Sequence, residues 1–130
     1  MKQRALRPTP AELQILRVLW ARGPSTVREV HEALGPARDT GYTTVLKLLQ
    51  IMAEKGLVAR DETARAHVYA ARAGESATQR QLVRELLDRA FGGSAGKLVM
   101  QALSTRQATP DEIAGIRRLL DEMESTGGKR

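Results

Sequence analysis

Residues 41–56 read Gly41-Tyr42-Thr43-Thr44-Val45-Leu46-Lys47-Leu48-Leu49-Gln50-Ile51-Met52-Ala53-Glu54-Lys55-Gly56. Val45, Leu48, Leu49 and Met52 fall at i, i+3, i+4 and i+7, which predicts an amphipathic helix from about Thr43 to Lys55. Gly56 suits its C-terminal cap, where a left-handed backbone costs glycine little. The opposite face carries Thr43, Thr44, Lys47 and Gln50. Hydroxyls and an amide near a helix N-terminus can exchange hydrogen bonds with base edges, and an ammonium suits phosphate or guanine. A plainer reading of the same face is a solvated surface with threonine caps, so the flanking segments decide.

Upstream, Thr9-Pro10-Ala11-Glu12 has the composition of a helix start: a capping hydroxyl, proline at the first helical position and a glutamate that closes a capping box. Leu13, Leu16, Val18, Leu19 and Trp20 follow as an apolar face, and Gly23-Pro24 ends the helix. Ser25 or Thr26 opens a short second helix with Val27, Val30 and Leu34 inward, ended by Gly35-Pro36. Residues 35–41 make a polar loop. Downstream, Leu57–Arg60 and His67–Ala70 have the β-branched and aromatic content of strands, joined by the polar linker Asp61–Ala66. Three helices followed by a two-stranded hairpin is the order of a winged helix-turn-helix domain. In that setting Arg60, Arg65 and His67 sit where a wing would meet the DNA backbone or an adjacent groove.

The remaining chain reads as three more helices. Residues 75–91 carry Leu82, Val83, Leu86, Leu87 and Phe91; a fifth helix spans Ser94 to about Leu103; Thr109-Pro110-Asp111-Glu112 repeats the capping signature and opens a sixth. Ile113, Ile116, Leu120 and Met123 follow at heptad-like spacing, and the tail Ser125–Arg130 is expected to fray. The segments around the two capping signatures do not match, so no repeat is implied. The expected organisation is a winged-helix DNA-binding domain over residues 1–72 and a helical dimerisation domain over 73–130. The second is short for burying three amphipathic helices without a partner. Leu82, Leu86, Phe91, Ile113, Ile116, Leu120 and Met123 are therefore the expected shared seam.

Composition narrows the function. The chain has 130 residues, of which 3 % are aromatic, and a formal net charge of +6. Residues 1–72 hold twelve basic and seven acidic side chains, and residues 73–130 hold nine and eight, so the positive excess lies in the first part. A basic domain attracts polyanions, nucleic acid above all. Without cysteine there is no disulfide, thiol nucleophile or thiolate metal site. No apolar run is long enough to span a bilayer, and the basic, proline-punctuated N-terminus lacks a signal-peptide core. A cytoplasmic location without membrane insertion is expected.

Catalysis finds little support. Gly92-Gly93-Ser94-Ala95-Gly96 matches the nucleophile-elbow pattern, but that motif requires a preceding strand and a histidine later in the chain. Here a helix precedes it, and both histidines, His31 and His67, come earlier. A glycine break with Ser94 capping the next helix is the simpler reading. The histidines and carboxylates show no metal-ligand spacing, each histidine reads as a surface or DNA-facing group, and no cofactor is implied.

The ordered series Thr9-Pro10-Ala11-Glu12-Leu13 with Leu19-Trp20, Thr26-Val27-Arg28-Glu29-Val30 with Leu34, Tyr42-Thr43-Thr44-Val45, Glu54-Lys55-Gly56-Leu57-Val58 and Tyr69 resembles the penicillinase-repressor family of BlaI/MecI/CopY-type transcriptional repressors. Phe91-Gly92-Gly93-Ser94, Leu98-Val99 and Glu112-Ile113 through Leu119-Leu120 extend the resemblance over about residues 6–124. The resemblance implies a homodimer that represses from a palindromic double-stranded DNA operator. It places Thr43, Thr44, Lys47 and Gln50 on a recognition helix and Arg65 in the wing. It also implies a membrane metalloprotease sensor as a partner in induction.

Three departures stand out. Ile51 replaces an arginine common in the family. Gln101-Ala102 occupies the place of an Asn-Phe bond at which some members are cleaved. The cysteine cluster of the copper-responsive branch is missing, which excludes thiolate copper sensing. The expectation is a sequence-specific, homodimeric DNA-binding repressor and not an enzyme. The alternatives are a winged-helix protein-interaction module with Leu46 and Ile51 as contacts, and a small hydrolase acting through Ser94.

Overall fold

The computed structural model describes residues 7–35 and 40–127. Its elements are α1 (Pro10–Arg22), β1 (Ser25–Thr26), α2 (Val27–Leu34), α3 (Tyr42–Lys55), β2 (Val58–Asp61), β3 (Val68–Ala71), α4 (Glu75–Ala90), α5 (Ala95–Thr105) and α6 (Pro110–Gly127). The chain divides into two compact units, one up to Gln81 and one from Leu82.

In the first unit, local chemistry sets the starts of α1 and α2. Thr9 accepts the Glu12 N–H through its side chain while the Glu12 carboxylate accepts the Thr9 N–H, a complete capping box beside Pro10. Thr26 and Glu29 form a second box at the head of α2, so Thr26, rather than Ser25, is the cap. Such caps contribute about 1 kcal/mol each. Ser25 instead joins β1 and is buried.

The core is assembled across all three helices and the sheet: Ile15, Leu16 and Leu19 from α1, Val27 and Val30 from α2, Val45, Leu49 and Met52 from α3, Val58 from β2 and Tyr69 from β3. Ile15 is an addition to the expected apolar face of α1. Leu13, Val18 and Trp20 lie at its margin with Leu34 and Leu48, each only partly buried. The Trp20 indole N–H donates to the Ala73 carbonyl at 2.9 Å, tying α1 to the segment that leaves the hairpin.

The sheet has three strands, not the expected two, in the order β1-β3-β2 and antiparallel throughout. β1 pairs Ser25 with Tyr69 and Thr26 with Val68. Two residues give no alternation to read, so this strand exists only through its partner. β2 and β3 each lie one residue later than expected, with Arg60 opposite Tyr69 and Asp61 opposite Val68. α3 begins at Tyr42 with Gly41 as its cap, so Thr43 and Thr44 lie inside the first turn and do not cap it. Gly56 adopts the left-handed conformation, φ 85°, that turns the chain from α3 into β2.

From Leu82 onward, none of the described residues is buried. Gly92 and Gly93 take positive φ between α4 and α5, and the Gly93 N–H donates to the Leu87 carbonyl at 2.8 Å, closing the end of α4. The Ser94 hydroxyl accepts the Lys97 N–H at 3.1 Å as the α5 cap. Thr109 and Glu112 exchange a capping box at the head of α6. α6 continues to Gly127, so residues 125–127 are helical rather than frayed; the remainder of the expected tail lies outside the described residues. The same holds for 36–39 of the expected polar loop.

Candidate nucleic-acid interface

The helix that shapes the site is α3. Val45, Leu49 and Met52 point into the core and are fully buried, which commits the apolar face and leaves Thr43, Thr44, Lys47 and Gln50 exposed. Positions 43, 47 and 50 are separated by four and three residues and therefore form one stripe, with Thr44 beside it. Ile51 adjoins this stripe at 37 % exposure. Tyr42, at the head of the helix and 47 % exposed, forms a T-shaped contact with the His31 ring, centroids 6.0 Å apart. That contact links the end of α2 to the start of α3 and gives His31 an aromatic neighbour.

The hairpin supplies the second group. Arg65 and His67 are exposed in the loop between β2 and β3. The Asp61 carboxylate folds the start of that loop, accepting the Thr63 N–H at 2.9 Å and the Thr63 hydroxyl at 2.7 Å. These bonds hold its carboxyl below the ordinary aspartate range. Arg60 is already engaged. Its Nε lies 2.7 Å from Glu62 Oε2. Hydrogen bonding to the Tyr69 hydroxyl, and then the Glu62 charge, raise its guanidinium above the ordinary arginine value. Glu62 is thus a member of the site that sequence reasoning did not single out. The i, i+2 spacing from Arg60, which places alternate residues of an extended chain on one side, was the available signal.

The expected seam residues all belong to the second unit. Leu86, Ile113, Leu120 and Met123 are between 41 % and 59 % exposed, while Leu82, Phe91 and Ile116 are partly buried. Among the described residues no group of three or more histidine or carboxylate side chains is placed to hold a metal ion, and no helix is long and apolar enough to cross a membrane.

Residues 8–122 match the penicillinase repressor family. The chain belongs to that family. Its fold, helices with a small hairpin arranged as a winged helix-turn-helix plus a helical region, agrees with a family of winged-helix transcriptional repressors. Over 120 residues it is 37 % identical to the transcriptional regulator BlaI of Mycobacterium tuberculosis, covering 92 % of this chain and 86 % of the relative. It is 24 % identical to the penicillinase repressor of Bacillus licheniformis over 86 % of this chain and 88 % of that protein. The methicillin resistance regulatory protein MecI of Staphylococcus aureus is 18 % identical over 94 % of this chain and 99 % of its own length. Family membership gives the G-x-S-x-G stretch no catalytic setting: α4 precedes it, and Ser94 is occupied as a cap.

Proposed function

We propose that this member of the penicillinase repressor family is a homodimeric repressor that binds a palindromic operator in double-stranded DNA. In this reading residues 1–72 form the DNA-binding domain and residues 73–130 the dimerisation domain. Thr43, Thr44, Lys47 and Gln50 read base edges or adjoining phosphates, and Arg60, Arg65 and His67 contact DNA from the wing. The observation that carries the reading is the division of α3 into a buried apolar face of Val45, Leu49 and Met52 and an exposed polar stripe, inside a unit with basic excess. Core packing fixes the helix, so the stripe is presented on a rigid element without further ordering cost.

Dimerisation rests on the second unit. A stripe of half-exposed Leu, Ile and Met side chains on α6 leaves apolar area in water that a second copy can cover. Two DNA-binding units tethered in this way gain about 10²–10⁴ in effective affinity for paired half-sites. A membrane metalloprotease sensor belongs to the same reading as the upstream partner. Gln101 and Ala102 lie exposed in α5, where a protease would have to unwind the helix before cleaving.

The test is a gel-shift titration of the full chain against the DNA immediately upstream of its own coding sequence, with mixed-sequence duplex as competitor. A preference of at least about 10³ is expected for a specific regulator. Equal binding to both duplexes overturns the proposal and leaves Leu46 and Ile51 as candidate protein contacts.

A further inference from the structure

We propose that Glu62 is an internal counter-anion that competes with DNA phosphate for Arg60 and so attenuates the grip of the wing on the duplex backbone; the proposal rests on the DNA-binding reading above. Three observations carry it. First, the wing is electrically balanced: Asp61 and Glu62 offset Arg60 and Arg65, although residues 1–72 as a whole have net charge +5. Second, the two carboxylates have different tasks. Asp61 accepts from Thr63 in folding the loop, whereas Glu62 pairs with Arg60, Oε2 to Nε at 2.7 Å. Third, the pair is built on a fixed base and open to solvent. Arg60 lies opposite the buried Tyr69 in the β2–β3 register, and the Arg60 and Glu62 side chains are 35 % and 54 % exposed.

The register sets Arg60 opposite Tyr69, so the strand that carries the guanidinium is fixed by the hairpin pairing. Glu62 opposes an approaching phosphate, both by occupying Nε and by its own charge. An ion pair this exposed is weak enough for a phosphate to displace. Engaging Arg60 on DNA therefore exchanges one anion for another, and little of the contact appears as net affinity. The effect is independent of sequence, because phosphate contacts carry no base information.

The experiment measures binding of the full chain to a mixed-sequence duplex over a series of salt concentrations. Wild type, Glu62→Gln, Arg60→Ala and the double variant are compared, with circular dichroism checking that each folds. Glu62→Gln is expected to bind about two- to fivefold more tightly at low salt. Its slope of log affinity against log salt should steepen by about 0.9, the value for one more phosphate neutralised. In the Arg60→Ala background the same change should yield a smaller increase in affinity and no steeper slope. An equal increase in both backgrounds, or a loss of affinity in folded Glu62→Gln, overturns the proposal. Failure of the operator preference in the previous experiment, with these salt slopes intact, would instead remove the operator reading and leave the wing mechanism standing.

Discussion

The Lys55 ammonium lies 2.7 Å from Glu12 Oε1, the same oxygen that accepts the Thr9 N–H at 2.9 Å. One buried carboxylate therefore caps the first turn of α1 and receives the last turn of α3. Glu12 is 2 % exposed and the Lys55 side chain 23 %, so the pair is only partly screened. Removing one partner of a buried pair costs about 3–5 kcal/mol; the partial exposure of Lys55 lowers the expectation for Lys55→Ala to about 1–3 kcal/mol. Glu12→Gln keeps an oxygen for the Thr9 N–H and should cost less than Glu12→Ala, which loses the capping box as well. Urea denaturation of the three variants checks this order, and equal losses for Gln and Ala would show that capping contributes nothing here.

The α3 stripe makes a prediction about specificity. Gln50→Ala should lose about 1–3 kcal/mol on the operator and little on mixed-sequence DNA if the amide reads a base. Lys47→Ala should reduce the salt slope by about 0.9 if the ammonium meets a phosphate. Both side chains are exposed, so stability should change by less than about 0.5 kcal/mol in either variant. Competition titrations on the two duplexes separate the roles, and equal losses on both would make Gln50 a backbone contact.

Arg65 is exposed in the loop, without the carboxylate that holds Arg60. Arg65→Ala should weaken binding to operator and mixed-sequence DNA alike, because a loop arginine meets phosphate or the minor groove more readily than a major-groove base edge. Unchanged affinity at low salt would exclude Arg65 from the interface.

Leu120 is 54 % exposed on α6, beside the 59 % exposed Met123. Leu120→Asp puts a charge where the partner would exclude water, and the dimer should split. Sedimentation of the wild type and the variant at micromolar concentration provides the measurement. A wild type that sediments as a monomer with full operator affinity sinks the dimer proposal.

Asp61 sets a pH expectation for the wing loop. Its carboxyl pKa is lowered by the Thr63 N–H first and the Thr63 hydroxyl second. A depressed folded pKa means that the loop gains stability above the ordinary aspartate value and loses it as pH falls through the lower, folded value. The loop should thus be unchanged by Asp61 titration between about pH 5 and 8. Carboxyl-carbon NMR through an acid titration should place the Asp61 midpoint below that of the same residue in Thr63→Ala, where one of its two bonds is gone. Coincident midpoints would mean that the hydroxyl bond adds nothing.

The features legible in the sequence are those settled within about four residues of chain, because caps and helix faces are local geometry. The Thr9–Glu12 and Thr109–Glu112 boxes, Ser94 as a cap, Gly56 as a stop and the burial of Val45, Leu49 and Met52 all follow from spacing. The exposed stripe on α3 was legible for the same reason, as the remainder once the apolar face is assigned. Contacts between distant segments required the tertiary structure. Ser25 and Thr26 become a strand because Tyr69 and Val68 of β3, far along the chain, lie alongside them. Glu12 is buried where Lys55 comes back to it from the end of α3, and Arg60 stands opposite Tyr69 across the hairpin. Each depends on groups distant in sequence meeting at ångström range, and neither propensity nor periodicity encodes that distance.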